Sequence, residues 1–435
     1  MFQQNNATSR EKQCSLDNSV YKQSVWLAMR VLGDGLKNSW QATKGMGRVD
    51  PNAIESASSE TARHINREIV LQLIHARQPI SRADLARVSG LQRSTVSQII
   101  EQLIRERWIR EGAIAQLPRG RRPTMLVLND DLVVLAADIH PRQVTVAMID
   151  LNGRLLSRST LPLGSDPSKS VAGMIDCMQR IRDSYPKKSL EGIGISVPGR
   201  VDKESHCLIF APNLKWPKYD IKQVVERRMG LPTEMENAAT ACLMSELWFG
   251  RMDGVRDAVL ITVSEGIGAG ILANGQIISG QHGMAGEFGH VSIDPSGPRC
   301  ACKQIGCWEV FGSCNAALRY YGELEPKARR LTFHELLNLA EEGNGHAVAA
   351  LAKQAKYIGK GLRMVTAALS PEVVLIAGDI TSAWERFAPI IQAELNELPL
   401  TRTAPRLLPT HEGDVARLRG AAALLLQRHS IRSYP

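Results

Sequence analysis

The chain has 435 residues, 44% hydrophobic and 22% charged, with a net charge of +9. That length accommodates two or three domains with sizeable cores, and the composition excludes a wholly disordered chain. Eight cysteines are too few for a disulfide framework and point to a reducing cytoplasm, while the apolar run at residues 24–32 is broken by Arg30 and far too short to span a bilayer.

Residues 1–60 are rich in Ser, Asn and Gln and lack sustained periodicity, so they read as a mostly disordered extension with a short helix near 20–32. A helix follows at 66–80, with Ile69, Leu73 and Ile74 on one stripe and Pro79 ending it. Ser81-Arg-Ala-Asp84 is a capping-box variant that opens a short helix through Val88, and Gly90 makes the turn. A third helix, 93–107, buries Val96, Ile99, Ile100, Leu103 and Ile104. Helix, short helix, glycine turn and helix make a helix-turn-helix. Strands at 108–112 and 124–128 then flank Leu117-Pro-Arg-Gly-Arg-Arg-Pro123, a hairpin that adds a wing.

Charge supports a DNA-binding role for this domain, residues 61–128. It holds twelve arginines, no lysine and five acidic residues, a surplus of seven out of the chain's +9. Arg93, Ser94, Thr95, Ser97 and Gln98 lie at the start of the third helix, opposite its apolar stripe, where a recognition helix enters the major groove. Arg119, Arg121 and Arg122 at the wing tip suit phosphates or a narrow minor groove.

From Leu132 the pattern becomes α/β. Strands are expected at 132–139, 143–150 and 154–161, with Asn152-Gly153 as a hairpin turn, then a helix at 168–185 and a strand at 192–197. A second block opens with the strand 258–263 and continues with helices near 313–322, 332–341, 344–369 and 382–397. Each block begins with a hairpin-like strand group, which predicts two lobes of similar build within residues 129–435.

Between the second block's first strand and its helices lies the densest chemistry. Cys300, Cys302 and Cys307 follow His290 by ten to seventeen residues. Three thiolates and one imidazole complete a tetrahedral zinc shell with no position left for water, so the metal is expected to be structural. Cys300 and Cys302 are separated by one residue, which disfavours a disulfide between them. Upstream, Ser264-Glu-Gly-Ile-Gly-Ala-Gly270 is a glycine-rich turn after a strand, of the kind that cradles phosphates. Glu287, His290 and Glu309 add the acceptors a polyhydroxylated ligand requires.

These residues, from Gly266 through His290 into Cys300-Ala-Cys-Lys-Gln-Ile-Gly-Cys-Trp-Glu309, resemble the signature of the ROK family of sugar kinases and transcriptional repressors. Gly194-Ile-Ser-Val-Pro-Gly-Arg-Val201, Ala211-Pro-Asn-Leu-Lys-Trp216 and Glu236-Asn237 match further family blocks in order, and the winged helix with Gly120-Arg-Arg-Pro123 resembles the repressor branch. The resemblance implies an N-terminal winged helix-turn-helix followed by two actin-like, ribonuclease-H-like α/β lobes with a structural zinc site and a sugar cleft between the lobes. Carried over by position, sugar contacts fall on Gly199, Arg200, Asn213, Asn237, Glu287, His290 and Glu309, with His290 also a metal ligand alongside Cys300, Cys302 and Cys307. Lys303 stands where the family usually has glycine.

Other departures concern catalysis. Family kinases read Glu-Asn-Asp, the aspartate serving as general base; here the triplet is Glu236-Asn237-Ala238. The first phosphate loop should read Asp-x-Gly-Gly-Thr, and here it is Asp138-Ile-His-Pro-Arg142. Glu265 brings negative charge to the second phosphate turn, and Ala377-Gly-Asp379 replaces a glycine pair near the adenosine site. The expected function is a cytoplasmic, sugar-responsive repressor, catalytically inactive, binding a double-stranded DNA operator as a homodimer or dimer of dimers. Two alternatives stay open at this point: a sugar kinase with residual activity, and a regulator controlled by a protein partner.

Overall fold

The computed structural model describes residues 59–114, 123–202, 207–211, 214, 216–250, 252, 254–327, 329–397, 404–410 and 415–431. The expected N-terminal extension, Asn213 and the wing-tip arginines Arg119, Arg121 and Arg122 lie outside them.

The winged-helix domain begins with α1 (Ser59–Arg77), the short strand β1 (Ile80–Ser81), α2 (Arg82–Ser89) and α3 (Arg93–Arg105). Helix α1 starts earlier and ends sooner than its sequence suggests, because Pro79 and the strand at Ile80 take over the chain. Its buried stripe is Val70, Leu71 and Ile74, whereas Ile69, expected inside, is 36% exposed. The cap at α2 forms as expected: Ser81 Oγ accepts from the Asp84 amide at 3.1 Å and bonds the Asp84 carboxylate at 2.7 Å. Such a cap is worth about 1 kcal/mol. Gly90, at φ 71°, turns the chain into α3, which buries Val96, Ile99, Ile100 and Leu103; Ile104 is only half-buried. Strands β2 (Ile109–Ile114) and β3 (Thr124–Leu128) pair antiparallel, and β1 joins β3 to complete a three-stranded sheet.

The body holds two five-stranded sheets. The first contains β4 (Leu132–His140), β5 (Gln143–Asp150), β6 (Leu155–Pro162) and β7 (Ser189–Val197), with α4 (Pro167–Asp183) between β6 and β7. A small hairpin of β8 (Arg200–Val201) and β9 (Leu208–Phe210) follows, then α5 (Ile221–Met229), the fifth strand β10 (Thr233–Asn237) and α6 (Ala238–Phe249). The second sheet contains β11 (Ala258–Val263), β12 (Ile267–Ala273) and β13 (Gln276–Ile277), separated from the rest by α7 (Glu309–Gly312), α8 (Cys314–Leu324), α9 (Phe333–Glu341) and α10 (Gly345–Leu369). It ends with β14 (Val373–Gly378), α11 (Trp384–Asn396), β15 (Arg406–Pro409) and α12 (Ala416–Ile431).

Both sheets have the same order when strands are counted from the start of each lobe: third, second, first, fourth, fifth. In each, the first three strands form an antiparallel meander, and the fourth and fifth join parallel to the first. The two lobes are thus two copies of one topology, as the paired hairpin starts foretold. Among the described residues no helix is long and apolar enough to cross a membrane.

Two helices tie the parts together. Helix α6 is buried from Ala239 to Glu246, so it is apolar all round rather than on one stripe. Its C-terminal Trp248 and Phe249 pack on the winged-helix core, where His75 of α1 meets both rings. Helix α12 packs against α6 and across the first sheet, and its Leu426 enters that same winged-helix core together with Leu132 and Leu151. The winged helix and the body therefore share a core. A side-chain relay reinforces the join: the Leu128 amide donates to Gln78 Oε1 at 2.8 Å, and Gln78 Nε2 donates to Asn152 Oδ1 at 2.6 Å.

Candidate effector cleft and DNA-binding face

At the recognition helix, Arg93, Ser94 and Gln98 are exposed and Thr95 and Ser97 half-buried, on the side away from the core. Gln92 supplies no side-chain cap to the first amides of α3. Not all of the domain's arginines are available to a ligand. Arg67 pairs with Glu106, Arg82 lies near Glu101 and Glu111, Arg87 pairs with Asp84, and Arg110 with Asp130. Arg93 has no ion-pair partner among the described residues. Arg93→Ala is expected to weaken binding to a cognate duplex by about 10- to 100-fold, the range of one base-reading or phosphate-reading arginine. Fluorescence anisotropy with a labelled duplex measures it, and sugar affinity should not change.

The cleft between the lobes encloses a cavity of ≈ 140 Å³, room for about ten waters or one monosaccharide. Gly199, Asn237, Glu287, His290 and Glu309 of the expected sugar contacts line it; Arg200 does not. Arg200 sits on β8, and its charge acts on Glu287. Asn237 has a local task as well. Its Oδ1 accepts from the Thr240 amide at 2.8 Å, capping α6, and its Nδ2 donates to Thr240 Oγ1 at 3.0 Å. One residue thereby joins the cleft to the helix that runs to the winged helix.

The cysteine loop is bracketed by two residues that line the cleft, His290 and Glu309. His290, Cys300, Cys302 and Cys307 place one ligand atom each within 4.8 Å of all the others. Cys302 and Cys307 sulfurs are 3.6 Å apart, as are Cys300 Sγ and His290 Nδ1. Metal–sulfur bonds of about 2.3 Å at tetrahedral angles separate ligand atoms by about 3.8 Å, so this set fits a four-coordinate metal ion. Burial pushes the Cys307 thiol up to about 11, and Cys300 higher still. A cation among them would reverse that by stabilising the thiolates.

Backbone geometry explains why these ligands converge. Gly306, at φ 73°, brings its α-carbon so close to the Asp294 carbonyl that a side chain would collide with it. Lys303 is held at φ 76°, a left-handed conformation that costs a non-glycine residue about 1 kcal/mol and accounts for the glycine usual there. Trp308 is fully buried and donates from Nε1 to the Tyr357 carbonyl at 2.8 Å, anchoring the loop. Glu309 then links loop to cleft: Oε2 accepts from the Ile267 amide at 3.2 Å, and Oε1 lies 3.4 Å from Cys300 Sγ. Glu287 is 3.8 Å from His290 Nε2. Burial raises its affinity for a proton, with His290 and Arg200 opposing.

Sequence reasoning singled out Asp138, His140 and Glu265 only as departures from the kinase pattern; it did not pair them and missed Arg417. At the tip of β4, His140 Nε2 is 3.0 Å from Glu265 Oε2 on the β11–β12 turn, a bond between the lobes. Arg417, at the start of α12, reaches Asp138 at 3.7 Å, and Ser196 Oγ donates to the same carboxylate at 3.0 Å. No local pattern marks either pair. Each joins strands or turns far apart in the chain.

Residues 134–428 match the ROK family, and residues 68–112 match the IclR helix-turn-helix domain. The chain belongs to the ROK family. The xylose repressor of Bacillus subtilis is 29% identical over 379 residues, covering 86% of this chain and 98% of that protein. The crystal structure of a ROK family transcriptional regulator, a homologue of Escherichia coli Mlc, superposes with a TM-score of 0.73 at 26% identity, covering 85% of this chain and 97% of its own. A ROK glucokinase from Streptomyces griseus, solved with glucose and AMPPNP, superposes at 0.62 with 27% identity, covering 68% of this chain and 99% of its own. The kinase matches the body alone; the regulators match winged helix and body together.

The ROK body here is a regulator's and not a kinase's. Ala238, the first residue of α6, lines the cavity where a general base would stand. The β4–β5 connection is the tight turn Pro141-Arg142, and Glu265 on the β11–β12 turn is bonded to His140 at the tip of β4.

Proposed function

We propose that this chain is a cytoplasmic transcriptional repressor that binds a double-stranded operator through α3 and the wing, and releases it on binding a sugar between its lobes. Zinc, held by His290, Cys300, Cys302 and Cys307, is the metal that suits this donor set, and its role is to keep Glu287, His290 and Glu309 facing the cleft. Two half-sites call for two recognition helices about 34 Å apart, so the working form is a homodimer or a dimer of dimers.

One observation carries this reading. Helices α6 and α12 both begin at the cleft, at Asn237–Ala238 and Arg417, and both end in the core of the winged helix, at Trp248, Phe249 and Leu426. A sugar that prefers one arrangement of the lobes must then also prefer one placement of the winged helix.

The test is operator binding with and without sugar. Duplexes selected from random sequence by the full-length protein are titrated by anisotropy, alone and with each of a panel of monosaccharides. One sugar should weaken operator affinity by about 10- to 100-fold, equivalent to a coupling of 1–3 kcal/mol. Equal affinity in the presence of a sugar shown calorimetrically to bind would overturn the regulatory coupling.

A further inference from the structure

A second cavity, of ≈ 630 Å³, adjoins the first, with Asn315, Phe333, Leu337, Asp379 and Thr381 among its walls. Among the described residues, only Glu265 and Arg417 line both cavities. They form the partition, and any group projecting from the first cavity toward the second must pass them.

The charges at this partition are already matched: Glu265 faces His140, and Arg417 faces Asp138. Glu265 is held below the ordinary carboxylate range: burial opposes this, but the His140 hydrogen bond and charge outweigh it. Asp379 lies just beyond, its carboxyl pushed up by burial and by the charge of Glu265. Glu287 and Glu309 also line the first cavity. Among the described residues that line the first cavity, Arg417 is the one arginine or lysine and has Asp138 beside it, while the two histidines have carboxylates beside them, His140 with Glu265 and His290 with Glu287. Arg142, exposed on the second cavity, does not reach the first. A phosphate dianion in the first cavity would have to give up its water without gaining an unmatched donor cation, beside carboxylates of its own sign. Sugar hydroxyls fare differently, because carboxylates accept from them.

We propose that the effector is an uncharged sugar, and that the Glu265 carboxylate, held by His140 across the lobes, is what excludes phosphorylated sugars. The inference rests on the reading of the cleft as a sugar site and deepens it.

Calorimetry on the metal-loaded full-length protein tests it, with D-glucose, D-mannose and N-acetyl-D-glucosamine each paired with its 6-phosphate, and D-xylose alone. The expected result is that at least one free sugar binds and that the free forms exceed their phosphates by about 100-fold or more. Glu265→Gln should shrink that ratio to below about 10-fold. A thermal melt and metal assay on the variant confirm that it is folded, and wild-type discrimination stands as a measurement in its own right. A 6-phosphate that binds as tightly as its free sugar overturns the inference while leaving the sugar site intact. A folded Glu265→Gln protein with undiminished discrimination overturns the role of Glu265. Failure of every free and phosphorylated sugar to bind overturns the sugar-site reading itself, and the inference falls with it.

Discussion

Cys307→Ser should remove both the metal and sugar binding. Cys307 is directly followed by Trp308, the buried anchor, and Glu309, whose carboxylate holds the Ile267 amide at the floor of the cleft. His290 is shared between the cluster and the cavity. In the variant only the Cys300 and Cys302 thiols remain, and the loop that carries Glu309 loses its metal crosslink and keeps only the Trp308 anchor. Bound metal should fall from about one equivalent to none by mass spectrometry. Sugar affinity should fall by about 100-fold, the upper end of what loss of support around a metal site costs. The winged-helix core contains none of these residues, so operator affinity should survive while its response to sugar disappears. Unchanged sugar affinity in a metal-free protein would show that the cluster and the cleft are independent.

Gly420→Ala should destabilise the whole body. A β-carbon at Gly420 would lie 1.7 Å from the Ala241 carbonyl oxygen, so α12 could not stay seated on α6. Neither helix has room to retreat. On the other side of α12 the Ala421 carbonyl lies against Gly194 of β7, where a β-carbon would again come within 1.7 Å. Overpacking of this kind costs about 3 kcal/mol or more, read as a lowered urea midpoint with an unchanged slope. Gly322→Ala in α8 makes the control, since a β-carbon there meets nothing within 4 Å. It should leave the midpoint unchanged or raise it slightly. Equal midpoints for the two variants would mean that the α6–α12 contact is slack, which would also remove the physical basis for coupling cleft to operator.

What the sequence made legible was local. Ser81 and Asp84 announced the start of α2, Gly90 its end, Asn152-Gly153 a hairpin, and the cysteine spacing a metal-ready loop; each depends on a few neighbouring residues. The helices that unite the molecule were not legible. Helix α6 is buried on every side and so shows no period, and α12 is likewise apolar around the stretch Ala421–Leu426. Strand β10 disguises itself by carrying Glu234, Glu236 and Asn237, although Glu236 is buried. The His140–Glu265 and Arg417–Asp138 pairs depend on lobe packing, which no window of sequence contains. Ile69 erred for a related reason: the stripe of α1 is set by what it packs against, and that surface turns Val70 inward instead.

The shared core also orders events during synthesis. A ribosome releases the winged helix early, and most N-terminal domains fold as they emerge. This one lacks Leu426 until α12 has been translated and docked, so its core stays open on one side until that helix has emerged. A nascent or prematurely terminated chain therefore carries a recognition helix on an incompletely packed support. Such chains should bind an operator more weakly than the finished protein.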